Sequence, residues 1–356
     1  MSEGLRSADL DYPFDPRHIA TQPAEPRDAA RMMVVERASG AVHHAHVRDL
    51  PQWLRASDTV IVNRTRVAHA RLMLRRERDG RELEGLLAAP LPGGAWLLLA
   101  KGGKRLREGD RLQMLGESHE GAACLTCVQK TDEGWQVRFD AGVDAHVALE
   151  RAGRTPVPPY ILKARGEHAQ PESFDRARYQ TVYGVDERMH SVAAPTAGLH
   201  FTPELLERIQ AMGVQRASVT LEVGMGTFKP VEVEWLAQHA MHRERFEVPA
   251  DTLSILRNRE RGGRLVVVGT TTVRTLESLP DPLPADTFAA EADLLIQPGH
   301  RFRHVDALMT NFHLPRSTLL SLVGAFVGLD RLKALYELAQ REGYRFYSYG
   351  DCMLLV

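Results

Sequence analysis

Residues 191–203, which read SVAAPTAGLHFTP, form the most chemically suggestive stretch of this chain. Pro195 and Gly198 let the backbone bend closely around a ligand, and Thr196 and His200 add a hydroxyl and an imidazole to that bend. A threonine cap followed by proline predicts a helix directly after the bend. The N–H groups at a helix start can bind an anion or a polar ligand. A tight loop with an ordinary cap is the alternative interpretation.

Three further polar loops occur in the same half of the chain, at residues 223–230, 269–274 and 309–318. Glycines in the first two allow the backbone to approach a ligand, and the hydroxyls that follow Gly269 at a helix start suit a carboxylate or a ribose. Cap chemistry alone explains each loop about equally well, but four such loops in one domain indicate a ligand cleft. The candidate substrate-binding residues are Pro195, Thr196, Gly198, Gly224, Gly226, Thr227, Phe228, Thr270, Thr271, Arg274 and Asn311.

Three histidines and one glutamate are candidates for acid–base catalysis: His242, Glu244, His313 and His200. His242 and Glu244 lie two positions apart, so on a strand they would share one face and form an acid–base pair. The alternative is surface ion pairing of this segment with Arg243 and Arg245. Which residue would act as the base and which as the acid is left open.

Residues 153–184 form a long segment rich in proline and arginine, and we expect it to be irregular and functional. Its basic side chains alternate with tyrosines, a combination that suits phosphates and stacked bases. The candidate nucleic-acid contacts are Arg154, Tyr160, Lys163, Arg176, Arg178 and Tyr179.

The elements that position these loops predict a mixed α/β fold. Strands and helices alternate after residue 190, which indicates a mixed α/β domain. Short strands separated by glycine and aspartate turns, in contrast, fill residues 70–139 and predict a small all-β barrel or sandwich. We therefore expect a large α/β domain that is discontinuous in sequence, residues 1–68 and 152–356, with a barrel-like insert at residues 69–151.

Composition excludes several classes of protein. The net charge of −1 does not indicate a nucleic-acid partner, although a local basic patch is compatible with it. Apolar runs are too short for a membrane span, and three cysteines are too few for a disulfide framework. Cys124 and Cys127 lack a second pair of ligands, so no metal is expected. We expect a cytoplasmic protein that does not contact a membrane.

The motifs together resemble a known family. SVAAPTAGLHFT at residues 191–202, VGMGTFKP at 223–230, MHRE at 241–244, VGTTTVR at 268–274 and TNFHLP at 310–315 are similar to those of the S-adenosylmethionine:tRNA ribosyltransferase-isomerases of queuosine biosynthesis. The segments PVPPY at 156–160, YQTVY at 179–183 and YRFYSYGD at 344–351 extend the match almost to the C-terminus. Glu222 and Arg64 depart from this pattern, because the family usually has histidine and asparagine there.

The resemblance implies a reaction and its partners. The ribosyl part of S-adenosylmethionine would be transferred and isomerised onto 7-aminomethyl-7-deazaguanine at the tRNA wobble position, giving epoxyqueuosine with release of adenine and methionine. S-adenosylmethionine would be a consumed substrate, no separate cofactor would be needed, and a monomer is expected. The alternatives are an S-adenosylmethionine-dependent RNA methyltransferase, for which the expected glycine-rich turn after the first strand is missing, and a non-catalytic RNA-binding module.

Overall fold

The computed structural model describes residues 4–117, 120–166, 168, 170–185, 191–224, 231–259 and 262–356. The strands are β1 Arg31–Val35, β2 Val42–His46, β3 Thr59–Asn63, β4 Arg71–Arg76, β5 Glu82–Leu91, β6 Ala95–Ala100, β7 Arg111–Leu115, β8 Gly121–Lys130, β9 Trp135–Phe139, β10 Gln215–Leu221, β11 Glu244–Val248, β12 Leu265–Val268, β13 Phe288–Ala292, β14 Ala307–Asn311 and β15 Cys352–Leu355. The helices are α1 Ala145–Ala152, α2 Pro159–Arg165, α3 Glu172–Arg178, α4 Pro203–Ala211, α5 Ala250–Arg257, α6 Thr270–Glu277, α7 Thr318–Val327 and α8 Leu329–Arg341.

A nine-stranded mixed sheet forms the centre of the large domain, in the order β13-β11-β10-β3-β12-β14-β15-β1-β2. Strands β10, β3, β12 and β14 run parallel to one another, so their carboxyl ends lie at one edge of the sheet. Strands β11 and β15 flank this parallel group and run antiparallel to their neighbours β10 and β14. The parallel group therefore carries the loops of interest.

Alternating apolar side chains give the sheet a buried core on each face. Val60 and Val62 belong to one core, which α4 covers, while Ile61 belongs to the other, which α5 to α8 cover. Strand β12, with the sequence LVVV, is completely buried, as expected for a strand covered on both sides. The two helical layers thus hold the carboxyl edge of the parallel strands in place.

Strands β4 to β9 close into a six-stranded antiparallel barrel in the order β4-β5-β6-β9-β8-β7. Its interior is filled by apolar side chains from every strand, and α1 packs Ala148 and Leu149 against the same core. The predicted fold class, a mixed α/β domain with an inserted β barrel, is confirmed.

Three local predictions differ from the structure. Residues 159–165 and 172–178 form short helices inside the segment that we expected to be irregular. The apolar run at residues 293–296 predicts a strand from the sequence, whereas the structure has the strand earlier, at Phe288–Ala292. Strands β14 and β15 were not predicted, although both lie inside the large sheet. Within the described ranges, no helix is long and apolar enough to cross a membrane, and no group of three or more His, Cys, Asp or Glu residues could hold a metal ion.

Candidate active site

A cleft lies at the carboxyl ends of the parallel strands. Its walls are the segment from Ala194 to Ala197, the start of α6, and the chain that leaves β14. Crevices at this edge of an open α/β sheet are where ligands usually bind. Five of the predicted substrate-binding residues and one predicted catalytic residue line it: Pro195, Thr196, Thr270, Thr271, Asn311 and His313.

The amino end of α6 forms one wall of the cleft. Gly269 precedes the helix with a φ of 87°, a conformation that favours glycine, and no side chain caps the helix there. Thr270 and Thr271 follow at the cleft surface, so the first-turn N–H groups and two hydroxyls lie at the same place. Asn63, at the end of β3, donates a hydrogen bond of 3.3 Å to the Thr271 hydroxyl. This wall suits an anionic or hydroxylated ligand group.

Arg274 does not face the cleft, contrary to the prediction that it holds the substrate carboxylate or ribose. Its guanidinium forms a buried ion pair with Glu244 and donates to the carbonyl oxygen of Ala292 at 3.3 Å. The Glu244 carboxylate also accepts a hydrogen bond of 2.8 Å from the backbone N–H of Gly224. Arg274 and Glu244 therefore connect α6, β11 and the segment after β10. The two residues are 30 positions apart, so local sequence patterns do not predict their pairing.

His313 lines the cleft and is almost fully buried. Its ring Nε2 is 2.9 Å from the hydroxyl of Thr310, its backbone N–H donates to the Tyr336 hydroxyl at 2.9 Å, and the Tyr12 hydroxyl donates to its carbonyl oxygen at 2.5 Å. Burial lowers the pKa of His313 from 6.5 to about 3. The imidazole is therefore neutral at pH 7 and its position is firmly fixed.

His200 is buried behind the cleft wall rather than at its surface. Its Nε2 is 3.2 Å from the amide nitrogen of Asn311, and the Thr196 hydroxyl donates to the Asn311 amide oxygen at 3.0 Å. Burial also lowers the pKa of His200 to about 4. His200 thus contacts the cleft through Asn311.

An aromatic wall completes the cleft, and it was not predicted as part of the substrate site. Tyr160 and Tyr347 pack edge to face with ring centroids 5.1 Å apart, and the Tyr160 hydroxyl bonds to Ser348. Tyr347 has a φ of 73°, which is rare for a bulky residue and often marks a functional site. The sequence signal for this wall was the YRFYSYGD motif at residues 344–351, which contains Tyr347 and Ser348. Tyr160, which was predicted to contact nucleic acid, therefore lines the cleft.

The remaining predicted site residues lie elsewhere. Gly198 packs against Tyr183, where a Cβ atom would be 2.0 Å from the hydroxyl oxygen, so close packing and not ligand contact explains this glycine. His242 is exposed and precedes β11, whereas Glu244 is buried at its first position, so the predicted shared strand face is wrong. Residues Gly226, Thr227 and Phe228 lie outside the described residues.

Two of the predicted nucleic-acid contacts have other roles in the structure. Tyr179 is fully buried and packs edge to face with Tyr349, so its ring cannot stack on a base here. Arg176 donates to the carbonyl oxygen of Gly153 at 2.6 Å and pairs with Glu172. Their side chains are committed to holding the α2–α3 segment together.

The other basic candidates are more accessible. Arg154 and Arg178 are half-buried, Arg178 being paired with Glu25, and Lys163 on α2 is exposed. Lys163 borders an apolar groove between α2 and the barrel, whose rim also carries Arg71 and Lys101. Both of these side chains pair with the single carboxylate of Glu84. Three cations against one anion leave this rim positively charged.

The mixed sheet and the cleft at its parallel carboxyl edge define the class: an α/β protein with a cleft at the carboxyl ends of its parallel strands. The chain belongs to the family described as queuosine biosynthesis protein, whose model matches residues 7–355, and the resemblance seen in the motifs is confirmed.

Relatives of known name match almost the whole chain. A protein of Symbiobacterium thermophilum named S-adenosylmethionine:tRNA ribosyltransferase-isomerase is 47% identical, covering 99% of this chain and 100% of its own length. A protein of the same name from Thermotoga maritima is 42% identical with the same coverage. A crystal structure of an S-adenosylmethionine tRNA ribosyltransferase from Thermotoga maritima aligns with a TM-score of 0.55 at 34% identity, covering 98% of this chain and 100% of that one.

Proposed function

We propose that this chain transfers and isomerises the ribosyl group of S-adenosylmethionine onto 7-aminomethyl-7-deazaguanine at the tRNA wobble position. Epoxyqueuosine-tRNA, adenine and methionine are the products. An enzyme of this kind was predicted from the motifs, and the shared name of relatives 42–47% identical over nearly the full chain confirms it. The observation that carries the proposal is the cleft, whose lining comes from six separate motifs of the chain.

The amino end of α6 is the proposed site for the anionic or hydroxylated part of S-adenosylmethionine. Thr270 and Thr271 place hydroxyls and backbone N–H groups at the cleft surface, where they can hold the methionine carboxylate or the ribose hydroxyls. Arg274 supports this wall indirectly, through its ion pair with Glu244. The aromatic rings of Tyr160 and Tyr347 offer the apolar surface that a base requires.

His313 is the proposed proton-transfer group. The chemistry requires a base to deprotonate the carbon next to the sulfonium and an acid for the departing adenine. Of the four predicted catalytic residues, His313 lines the cleft, whereas Glu244 is ion-paired, His200 lies behind the wall and His242 is exposed. His313 is therefore the candidate whose imidazole is placed to exchange a proton with a bound substrate, although a pKa of about 3 makes the free ring a weak base.

The groove between α2 and the barrel is the proposed contact for tRNA. Its apolar floor includes Val157 and Leu86, and its rim carries Arg71, Lys101 and Lys163. Apolar floors accept the faces of unstacked bases, and cations pair with backbone phosphates. We propose further that the enzyme is a cytoplasmic monomer without a separate cofactor, and light scattering of the purified protein tests the oligomeric state.

The test is incubation of the protein with S-adenosylmethionine and tRNA that carries the precursor base. Free adenine, measured by chromatography, should appear in proportion to the tRNA and should be absent with tRNA that has guanine at the wobble position. The variant His313→Gln should release adenine at least about 100-fold more slowly, since a proton-transfer group contributes about 10²–10⁴-fold. Adenine release at the normal rate by this variant would remove His313 from the chemistry, and no release by the unmodified protein would reject the function.

A further inference from the structure

The side-chain amide of Asn311, at the end of β14, has one orientation that its neighbours allow. Its nitrogen lies 3.2 Å from the backbone carbonyl oxygen of Tyr347. A carbonyl oxygen only accepts hydrogen bonds, so the atom that faces it must be the NH₂ group. The other end of the amide is therefore the oxygen, which only accepts.

This orientation determines the direction of the bond to Thr196. The Thr196 oxygen is 3.0 Å from the Asn311 amide oxygen. Since the amide oxygen cannot donate, the single hydroxyl hydrogen of Thr196 must point at Asn311. Thr196 is half-buried and lines the cleft. Its oxygen therefore presents lone pairs to the cleft and no hydrogen.

The same amide also determines the tautomer of His200. The second hydrogen of the Asn311 NH₂ group points at His200 Nε2, 3.2 Å away. Nε2 must then accept, which leaves the ring hydrogen on Nδ1. The buried position of His200 favours the neutral ring that this arrangement requires. The carbonyl of Tyr347 thus determines the hydrogen-bond directions of the Asn311 amide, the Thr196 hydroxyl and the His200 ring.

We propose that Asn311 is a positioning residue that makes Thr196 an obligate hydrogen-bond acceptor in the cleft, and that Thr196 selects a substrate group with an N–H or O–H donor. The identity of the substrates rests on the function proposed above. Two molecules carry such donors there: S-adenosylmethionine, through its ammonium and ribose hydroxyls, and the precursor tRNA, through the aminomethyl group of its base. A group that only accepts would face the lone pairs of Thr196 and be rejected.

The test compares Thr196→Val, which keeps the shape and removes the hydroxyl, with Thr196→Ser, which keeps the hydroxyl. Binding of S-adenosylmethionine and of precursor tRNA is measured separately by calorimetry, without turnover. Thr196→Val should weaken one of the two about tenfold or more, because a buried donor loses its partner, and Thr196→Ser should stay within about threefold. The weakened ligand identifies which substrate carries the donor.

Unchanged binding of both ligands by Thr196→Val would overturn the proposal. The proposed function fails separately, through absence of adenine release from the unmodified protein. Nitrogen-15 spectra of histidine-labelled protein give a readout that a purely structural role would not move. His200 should show an unprotonated Nε2 and a protonated Nδ1, and this preference should be lost in Asn311→Ala. A protonated Nε2 in the unmodified protein would contradict the argument.

Discussion

Glu244 and Arg274 show how much one pair of residues contributes at the edge of the sheet. Both residues are buried, with relative exposures of 3% and 6%, and the carboxylate also accepts a hydrogen bond from the N–H of Gly224. Removing one member of such a pair leaves an uncompensated charge in the interior. Glu244, the last residue of the MHRE motif, therefore supports the cleft through its contacts with Arg274 and Gly224.

We expect Glu244→Gln to lower the free energy of unfolding by about 3 kcal/mol, since breaking a buried ion pair costs about 3–5 kcal/mol. Urea unfolding followed by circular dichroism measures the change. Arg243 provides the matched control, because its contact with Glu291 is exposed on both sides. Arg243→Gln should change stability by less than about 0.5 kcal/mol. Equal effects of both variants would contradict the structural role of the buried pair.

The buried histidines make stability depend on pH. Folded His200 and His313 have pKa values of about 4 and about 3, below the ordinary 6.5, because burial disfavours the charged ring. Below pH 6.5 the unfolded chain therefore binds protons that the folded chain does not, so their contribution is complete above that pH and is lost as the pH falls.

When the pH falls from 7 to 5, the free energy of unfolding of His313→Gln should decrease by about 2 kcal/mol less than that of the unmodified protein. The measurement is the free energy of unfolding in urea at each pH. The exposed His242 serves as the control, and His242→Gln should follow the unmodified protein. An unchanged pH dependence in His313→Gln would show that burial does not lower the pKa of His313 in the folded protein.

At the scale of elements, the carboxyl ends of four parallel strands bring distant motifs together. The turn into α6 depends on Gly269, whose φ of 87° places the helix start beside Ala197 of the opposite wall. A Cβ atom at Gly269 would lie 3.6 Å from the Cβ of Ala197. Space is therefore available, and backbone strain is the main effect of substitution.

We expect Gly269→Ala to destabilise the protein by about 1–3 kcal/mol and to raise the KM for S-adenosylmethionine, because the strain moves the helix start. Gly343→Ala is the control, since Gly343 also has a positive φ of 70° but lies after α8 with open space around it. It should lower stability without changing the KM. A KM that is the same in both variants would show that the α6 turn does not bind this substrate. Steady-state kinetics and thermal unfolding measure both effects.

Sequence patterns predicted the elements with strong local signals. Thr202 caps α4 by accepting from the N–H of Leu205 at 3.2 Å, as the threonine followed by proline predicted. Strand β14 was not predicted because its residues, ALMTN, contain no run of β-branched side chains. Helices α2 and α3 were not predicted because helices of seven residues in a proline-rich segment show little periodicity. The Glu244–Arg274 pair depends on the order of strands in the sheet, which local patterns do not determine.

At the scale of the whole molecule, the barrel and α2 form the basic groove on which the tRNA proposal depends. Binding to phosphates releases counterions, so the affinity should fall with salt concentration. We expect the double variant Lys101→Gln, Lys163→Gln to weaken tRNA binding and to reduce the slope of log affinity against log salt by about 1–2, because about 0.7–0.9 is lost for each phosphate contact. Filter binding at several salt concentrations measures this slope.

Lys130, an exposed lysine at the end of β8 that does not line the groove, is the control for this experiment. Lys130→Gln should leave both the affinity and the slope unchanged. The KM for S-adenosylmethionine should stay the same in all three proteins, since the cleft is separate from the groove rim. A double variant with normal salt dependence would show that tRNA docks on another surface.

Under the proposed function, S-adenosylmethionine donates its ribosyl group and not its methyl group. The most direct measurement incubates the protein and precursor tRNA with S-adenosylmethionine labelled with ³H in the methyl group and ¹⁴C in the ribose. We expect ¹⁴C on the tRNA and ³H in free methionine, in equal amounts. Label from the methyl group on the tRNA would identify a methyltransferase, and tRNA that binds but carries neither label would identify a non-catalytic RNA-binding protein. Either result would contradict the proposed function.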